Sequence, residues 1–233
     1  MKQFIDQTFI ARIDRDSAAV LEEMSFEHCV FINCCLSVTK DVRKRSTVRN
    51  VRLRGCRFES GVIGPAVLNE VVIDGLSSPD LILAWSPFFR HVALRNRVGA
   101  IRINKVPHFS DYDPKMLVSF DRARAEFYAA TDWAIDISEA EFQEFSVRGI
   151  PAHLIRRDPA TQVIVSREKA ADTSWRDKVA SWNSHWPMVI DMALEDGEPA
   201  VILFAPRATQ KKRYQKLVDG LQNLRDIGVA EPD

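Results

Sequence analysis

From residue 46 the chain repeats with a period of five, reading STVRN VRLRG CRFES GVIGP AVLNE VVIDG. The third place of each block is Val48, Leu53, Phe58, Ile63, Leu68 and Ile73, all large and apolar. The first place is Ser46, Val51, Cys56, Gly61, Ala66 and Val71, none larger than valine, and the fourth and fifth places are mostly polar or glycine. Blocks of the same kind precede it as MSFEH CVFIN CCLSV, giving Phe26, Phe31 and Leu36, and follow it more loosely as Leu83, Phe88, Leu94 and Ile103. A helix repeats every ~3.6 residues and a flat strand every ~2, so neither explains the pattern. A square coil does. Each block forms one side with its third residue inward, and four blocks return the chain to its start about one strand spacing higher.

The arrangement resembles the pentapeptide-repeat proteins, whose right-handed four-sided β-helix carries a large apolar residue at the centre of each block and a small one two places before it. The family's usual Asp or Asn before the central residue is replaced here by Arg52, Arg57, Val62, Val67 and Val72. The resemblance implies a β-helix, and with the segment that follows it the expected fold class is β-helix plus α+β. Its core is a short right-handed quadrilateral parallel β-helix of about four coils over residues 24–105. The register stacks Ile63, Leu83 and Ile103 in one inward column and Leu53, Ile73 and Leu94 in another, with Arg54, Asp74 and Arg95 alternating outward.

An open β-helix exposes strand edges at both ends, and these invite aggregation unless covered. Residues 1–23, with Phe4, Phe9, Ile13, Val20 and Leu21, are expected to cap the lower end as a short strand and helix, and the chain beyond Pro107 to cover the upper end. The tract VPHFSDYDPK, residues 106–115, has no periodicity and marks a boundary, after which residues 115–233 read as an α+β domain. A helix is expected over Ser119 to Ala130 and a strand over Trp133 to Ile137, with further strands at Glu144 to Val147, His153 to Arg156, Val163 to Ser166 and Ala200 to Phe204. Asp158 to Thr161 makes a turn that would join two of these as a hairpin. Ser174 reads as the N-cap of a helix through Trp175, Val179 and Trp182, Trp186-Pro187 as its end or the next start, and a last helix runs from about Thr209 to Ile227.

Charge narrows the partners. The chain of 233 residues has 32 Lys and Arg against 32 Asp and Glu, which argues against a global polyanion binder. Arg43, Lys44, Arg45, Arg49, Arg52, Arg54 and Arg57 form a run without an acid, but a square coil spreads them around a turn, and a duplex needs several cations on one face. The run reads as a solvated belt or a contact for an acidic protein partner, and nucleic acid is disfavoured. Residues 1–104 carry 15 basic and 11 acidic groups, unlike the acidic rods with which some pentapeptide-repeat proteins imitate DNA. Trp175, Trp182 and Trp186 would fall on one helical stripe, facing the core or serving as partner anchors.

Chemical motifs are sparse. Ser166 to Lys169 and Ser37 to Lys40 both match S-x-x-K, a cheap pattern without its companion motifs. The four cysteines, Cys29, Cys34, Cys35 and Cys56, lack zinc spacing and are expected as free thiols in a reducing cytoplasm. Cys35 sits at an outward place. No metal or cofactor is expected, and no stretch has the roughly 20 apolar residues of a membrane helix. The leading expectation is a non-enzymatic protein-binding module, by analogy an immunity-type protein of a bacterium that binds a toxin. The alternative is an enzyme with a site around His153 or His185 in the C-terminal domain.

Overall fold

A computed structural model describes residues 1–108, 113–183, 185–195, 197–206 and 210–232, and its backbone carries the period of five directly. Left-handed residues recur at every fifth position in runs: Asp6, Ala11 and Asp16; Glu23, His28 and Asn33; Asn50, Gly55 and Ser60; Glu70 and Gly75; Ser86, His91 and Asn96. Each bends an extended segment, separating short strands at Asp6 and Ala11 and falling inside longer ones at Asn50, Gly55, Glu70, Gly75, His91 and Asn96. Two compact units follow, Met1–Arg156 and Arg157 onward.

The first unit is a curled, predominantly parallel sheet of thirteen strands. These are β1 (Lys2–Ile5), β2 (Thr8–Ile10), β3 (Ile13–Arg15), β4 (Val20–Glu27), β5 (Val30–Ile32), β6 (Cys35–Val38), β7 (Thr47–Glu59), β8 (Val62–Ile63), β9 (Val67–Ser77), β10 (Ile82–Trp85) and β11 (Phe88–Asn104). After helix α1 (Pro114–Ala129) come β12 (Ile135–Val147) and β13 (Ile155–Arg156). The pairings fall into four series. One joins residues 2–5, 24–27, 51–54, 71–74 and 92–95. A second joins 8–10, 30–32 and 57–59. A third runs from Ile13 through Cys35, Leu36 and Ile63 to Ala84 and Ile103. The fourth joins 20–22, 47–49, 67–69 and 88–90.

The columns test the sequence reading closely. Phe4, Phe26, Leu53, Ile73 and Leu94 are in register, as are Glu27, Arg54, Asp74, Arg95 and Glu139. The latter alternate in sign, with Arg54 3.7 Å from Glu27 and Arg95 3.2 Å from Glu139; such exposed pairs contribute a few tenths of a kcal/mol each. Leu83 is displaced from its expected column. Ala84 stands between Ile63 and Ile103, because the turn at residues 78–81 adds one residue to that circuit. Burial is deepest at the small places, Val51, Cys56, Ala66 and Val71, while Leu53, Phe58, Ile63 and Ile73 are partly buried. A Cβ on Gly61 would collide with the Cys34 carbonyl, so that first place has room only for glycine.

Residues 1–23 contain strands and no helix. β1, β2 and β3 lie under β4, β5 and β6 as a first rung, with Phe4 stacked on Phe26 at 4.9 Å and Phe9 on Phe31 at 5.2 Å. Asp14 occupies the third place of the next block, where its carboxylate accepts a hydrogen bond from the Ser37 N–H at 2.9 Å. One circuit is longer than the rest: Val20 pairs with Thr47, whereas Thr47 pairs with Val67. The extra residues hold the short 3-10 turn Val42–Lys44, capped by Asp41.

Where the fourth series would continue above Phe88, α1 takes the place of a strand. The Phe89 N–H donates to the Tyr128 hydroxyl at 3.2 Å instead of to a neighbouring carbonyl. Phe88, Met116 and Phe120 form a buried cluster against Val42, Val67 and Phe127. Arg124 is buried there, donating to the Lys105 carbonyl and the Ser86 hydroxyl and pairing with Asp121 at 3.0 Å. The chain then rejoins the sheet, β12 pairing in parallel with β11 and β13 with β12. The segment 114–156 thus belongs to the first unit, and the division lies well beyond the 106–115 tract. The expected hairpin from 153–156 to 163–166 is replaced by two separate pairings: β13 stays in the parallel sheet, while β14 (Gln162–Ser166) pairs antiparallel with β15 (Ala200–Phe204). The turn is present, with Thr161 N–H on the Asp158 carbonyl, but it lies at the start of the second unit.

Left-handed conformations cost an L-residue about 1–2 kcal/mol, and glycine loses about 0.5–1 kcal/mol of that advantage through unfolded-state entropy. Ala11→Gly and Glu70→Gly are therefore each expected to stabilise by about 0.5–1 kcal/mol, read as a higher urea midpoint at unchanged slope. Lower midpoints for both would exclude corner strain. Burial pushes the Tyr128 phenol up to about 12, so the folded chain holds a proton that the unfolded chain releases near 10. That stabilisation is complete below pH ~10 and is lost as pH rises toward 12. Tyr128→Phe is expected to flatten this alkaline limb and, by orphaning the Phe89 N–H, to lower neutral-pH stability by about 1–3 kcal/mol, which denaturation across pH checks.

Candidate functional site

The second unit builds its core from β14, β15 and three helices: α2 (Arg167–Ala171), α3 (His185–Glu195) and α4 (Lys211–Asp226). Val163, Val165, Trp175, Trp186, Ile190, Leu203, Leu221 and Leu224 are buried together. The expected start of the last helix at Thr209 lies outside the described residues; α4 begins at Lys211.

The three tryptophans do not share a helix. Trp175 sits in a 3-10 segment, Thr173–Lys178, that is capped by Asp172 accepting from the Ser174 N–H, so the cap lies two residues before Ser174. Hydrogen bonds from Ser174 hold the Asp172 carboxyl below its ordinary range. The segment ends at Val179, and the Ala180 N–H donates to Asn223 Oδ1 on α4, which turns the chain before any stripe can form. Trp175 and Trp186 are buried, their Nε1 groups donating to the Ala170 and Leu217 carbonyls, both at 3.1 Å. Trp182 is 49% exposed.

Trp182 and Trp186 nevertheless line one groove. Its walls are Trp182, Asn183, His185, Trp186, Arg213, Lys216 and Leu217, around a cavity of about 190 Å³. Gly220 lets α4 approach Trp186: a Cβ there would lie 2.7 Å from Cδ1. Among the described residues no carboxylate lines the groove. The first turn of α4 reads Lys211, Lys212 and Arg213 and holds no acid, where an acidic residue would ordinarily offset the positive helix end. Burial, followed by the nearby Arg213 charge, holds the His185 imidazolium below its ordinary pKa. Cationic surroundings beside an exposed indole suit an anion carrying a flat apolar group.

The basic run from Arg43 spreads over several faces. Arg43 pairs with Asp41 at 2.8 Å, and those hydrogen bonds lower the Asp41 carboxyl to about 2. Lys44 is exposed. Arg45 is partly buried, its guanidinium 4.5 Å over the Phe88 ring, and desolvation lowers its pKa. Arg49 donates to Glu22 in the fourth series, Arg54 faces Glu27 in the first, and Arg57 pairs with Glu59 in the second. Arg52 lies exposed between them. The run therefore spans three series and is largely matched by acids.

Both S-x-x-K serines take part in structural hydrogen bonds. Ser166 caps α2, while Lys169 Nζ reaches the Ala230 carbonyl at 3.0 Å and Glu231 at 3.2 Å. Hydrogen bonds from Ser166 first, then Lys169, lower the Glu231 carboxyl. Ser37 is buried and its hydroxyl accepts from the Ser46 N–H at 2.9 Å. His153 is exposed in the first unit and His185 lies in the second. Among the described residues no group of three His, Cys, Asp or Glu is placed to hold a metal, and no helix is long and apolar enough to cross a membrane. The cysteines are unbridged. Cys29 donates to the Phe4 and Glu27 carbonyls, Cys34 to those of Phe9 and Ile32, and Cys56 to those of Phe26 and Arg54; Cys35 is partly buried. No family model matches the chain, and no curated protein does.

Gly220→Ala is expected to push α4 from Trp186, destabilising the second unit by about 1–3 kcal/mol while leaving the first unit's transition unmoved. Tryptophan fluorescence against urea checks it, and an unchanged midpoint would contradict the close approach.

Proposed function

We propose that the protein is a non-catalytic binding module, in which a β-helical scaffold carries a second unit whose groove receives an acidic segment of a protein partner. In this reading the four series of strands close into a right-handed, four-sided coil of the pentapeptide-repeat type. Left-handed bends at every fifth residue support closure, as do the edge-to-face contacts of Phe4 with Phe9 at 5.6 Å and of Phe26 with Phe31 at 5.5 Å. Those rings belong to consecutive series and meet across a bend, which suits a common interior.

The observation that carries the binding reading is an exposed indole, Trp182, beside His185, Arg213 and Lys216 in a groove that has no carboxylate among the described residues. Indole and arginine are the side chains that most often anchor a protein contact. A groove of this size accepts one or two side chains, which favours a peptide segment with Asp or Glu beside an aromatic residue over a nucleic-acid backbone needing many cations in line.

Panning a random peptide library on the full chain tests this. Recovered peptides are expected to be rich in Asp and Glu next to an aromatic residue, and to bind the Arg213→Glu, Lys216→Glu variant at least ~10-fold more weakly. Recovery without acidic bias, or unchanged binding to the variant, overturns the reading. Bound carboxylate favours charged His185, whose pKa burial lowers in the free chain, so binding takes up a proton and tightens as pH falls. Arg213→Ala relieves the charge that lowers His185 and moves this transition to higher pH.

A further inference from the structure

We infer that the N-terminal rung is an interface with a second copy of this chain, the two coils meeting end to end about a two-fold axis through Phe9. This rests on the four-sided closure proposed above. β1, β2 and β3 are each paired on one edge only, so the other edge presents backbone donors and acceptors to solvent. Large apolar side chains are exposed at the same end: Ile5 at 53%, and Ile10 and Ile13 at 61% each.

The sequence around Phe9 partly matches its own reversal. Of the seven pairs of positions equidistant from Phe9 between residues 2 and 16, three are complementary: Ile5 with Ile13, Asp6 with Arg12, and Lys2 with Asp16. A two-fold axis through the middle of β2 imposes this correspondence: it lays β2 antiparallel on its twin and β1 on the partner's β3, and an isologous interface requires such self-matching. The climb of the coil is compatible. Each side rises about a quarter of a rung, so the heights of β1 and β3 average to that of β2. All three edges then reach pairing distance together. Opposite charges meet at the bends and the exposed Ile5 meets the exposed Ile13 of the second copy, while Asp14 is already held by the Ser37 N–H. Lys2, whose ammonium lies 4.9 Å over the Phe4 ring, and Arg12 occupy first places where other blocks carry small apolar residues; unmatched charge there opposes any register but the self-complementary one.

Sedimentation of the full chain at its highest soluble concentration is expected to show a species of twice 26.5 kDa. Asp6→Arg and Arg12→Asp are each expected to weaken self-association by at least ~10-fold, and the combined swap to restore it, which a merely structural role for either residue would not produce. Ile5→Cys with Ile13→Cys is expected to yield a cross-linked dimer under oxidation, and either substitution alone none. A monomer at every concentration overturns the interface. A dimer in which Ile5→Cys alone links to its twin overturns the placement of β1 opposite β3, and with it the four-sided closure. A folded double swap that stays monomeric overturns the charge register.

Discussion

A left-handed residue at every fifth position governs the first unit. The bends at Asp6, Ala11 and Asp16 and at their successors set the spacing of the extended sides, and that spacing sets which residues stack. Once bends lie above bends, large third places fall in register, first places must be small, and charges facing outward line up along the sheet. The column from Glu27 to Glu139 is a by-product of that register, because exposed ion pairs are too weak to impose it. The parallel backbone ladder and the small buried residues beneath it hold the rungs together.

The sheet accommodates interruptions by sending them outward. Residues 39–45 lengthen one circuit and carry Arg45 onto Phe88, and α1 replaces a strand at the top of the same series. Both departures converge on Phe88, with Arg45 at 4.5 Å and Arg124 at 5.6 Å from its ring. Cation–ring contacts of this kind are worth about 0.5–2 kcal/mol when partly desolvated. An arginine that reads in the sequence as part of a charged belt therefore acts as packing.

The period of five was legible between residues 46 and 75 because every third place is large and every first place small. It was equally present at Phe4 and Phe9, but Asp14 broke it there, and the first rung read as a cap. The return of residues 135–156 to the sheet was hidden because α1 separates them from their partners in β11, and no local pattern encodes a pairing across that distance. The tryptophan stripe failed for a related reason: helical spacing was counted through Val179 to Asn183, where Asn223 from a distant helix caps the chain and turns it. The groove itself joins residues 182–186 to 213–217. Only the clustering of Lys211, Lys212, Arg213 and Lys216 at one helix start was there to be noticed.

The thiols of Cys29, Cys34 and Cys56 each point at two carbonyls, one on their own rung and one on the rung beneath. Burial raises the Cys56 thiol above its ordinary pKa, which keeps it in the unreactive form. A thiol-modifying reagent can reach these sulfurs only after adjacent rungs separate, since a sub-global opening is the event that exposes buried groups. Their labelling rates are thus a built-in clock for how often, and at which level, the ladder unzips.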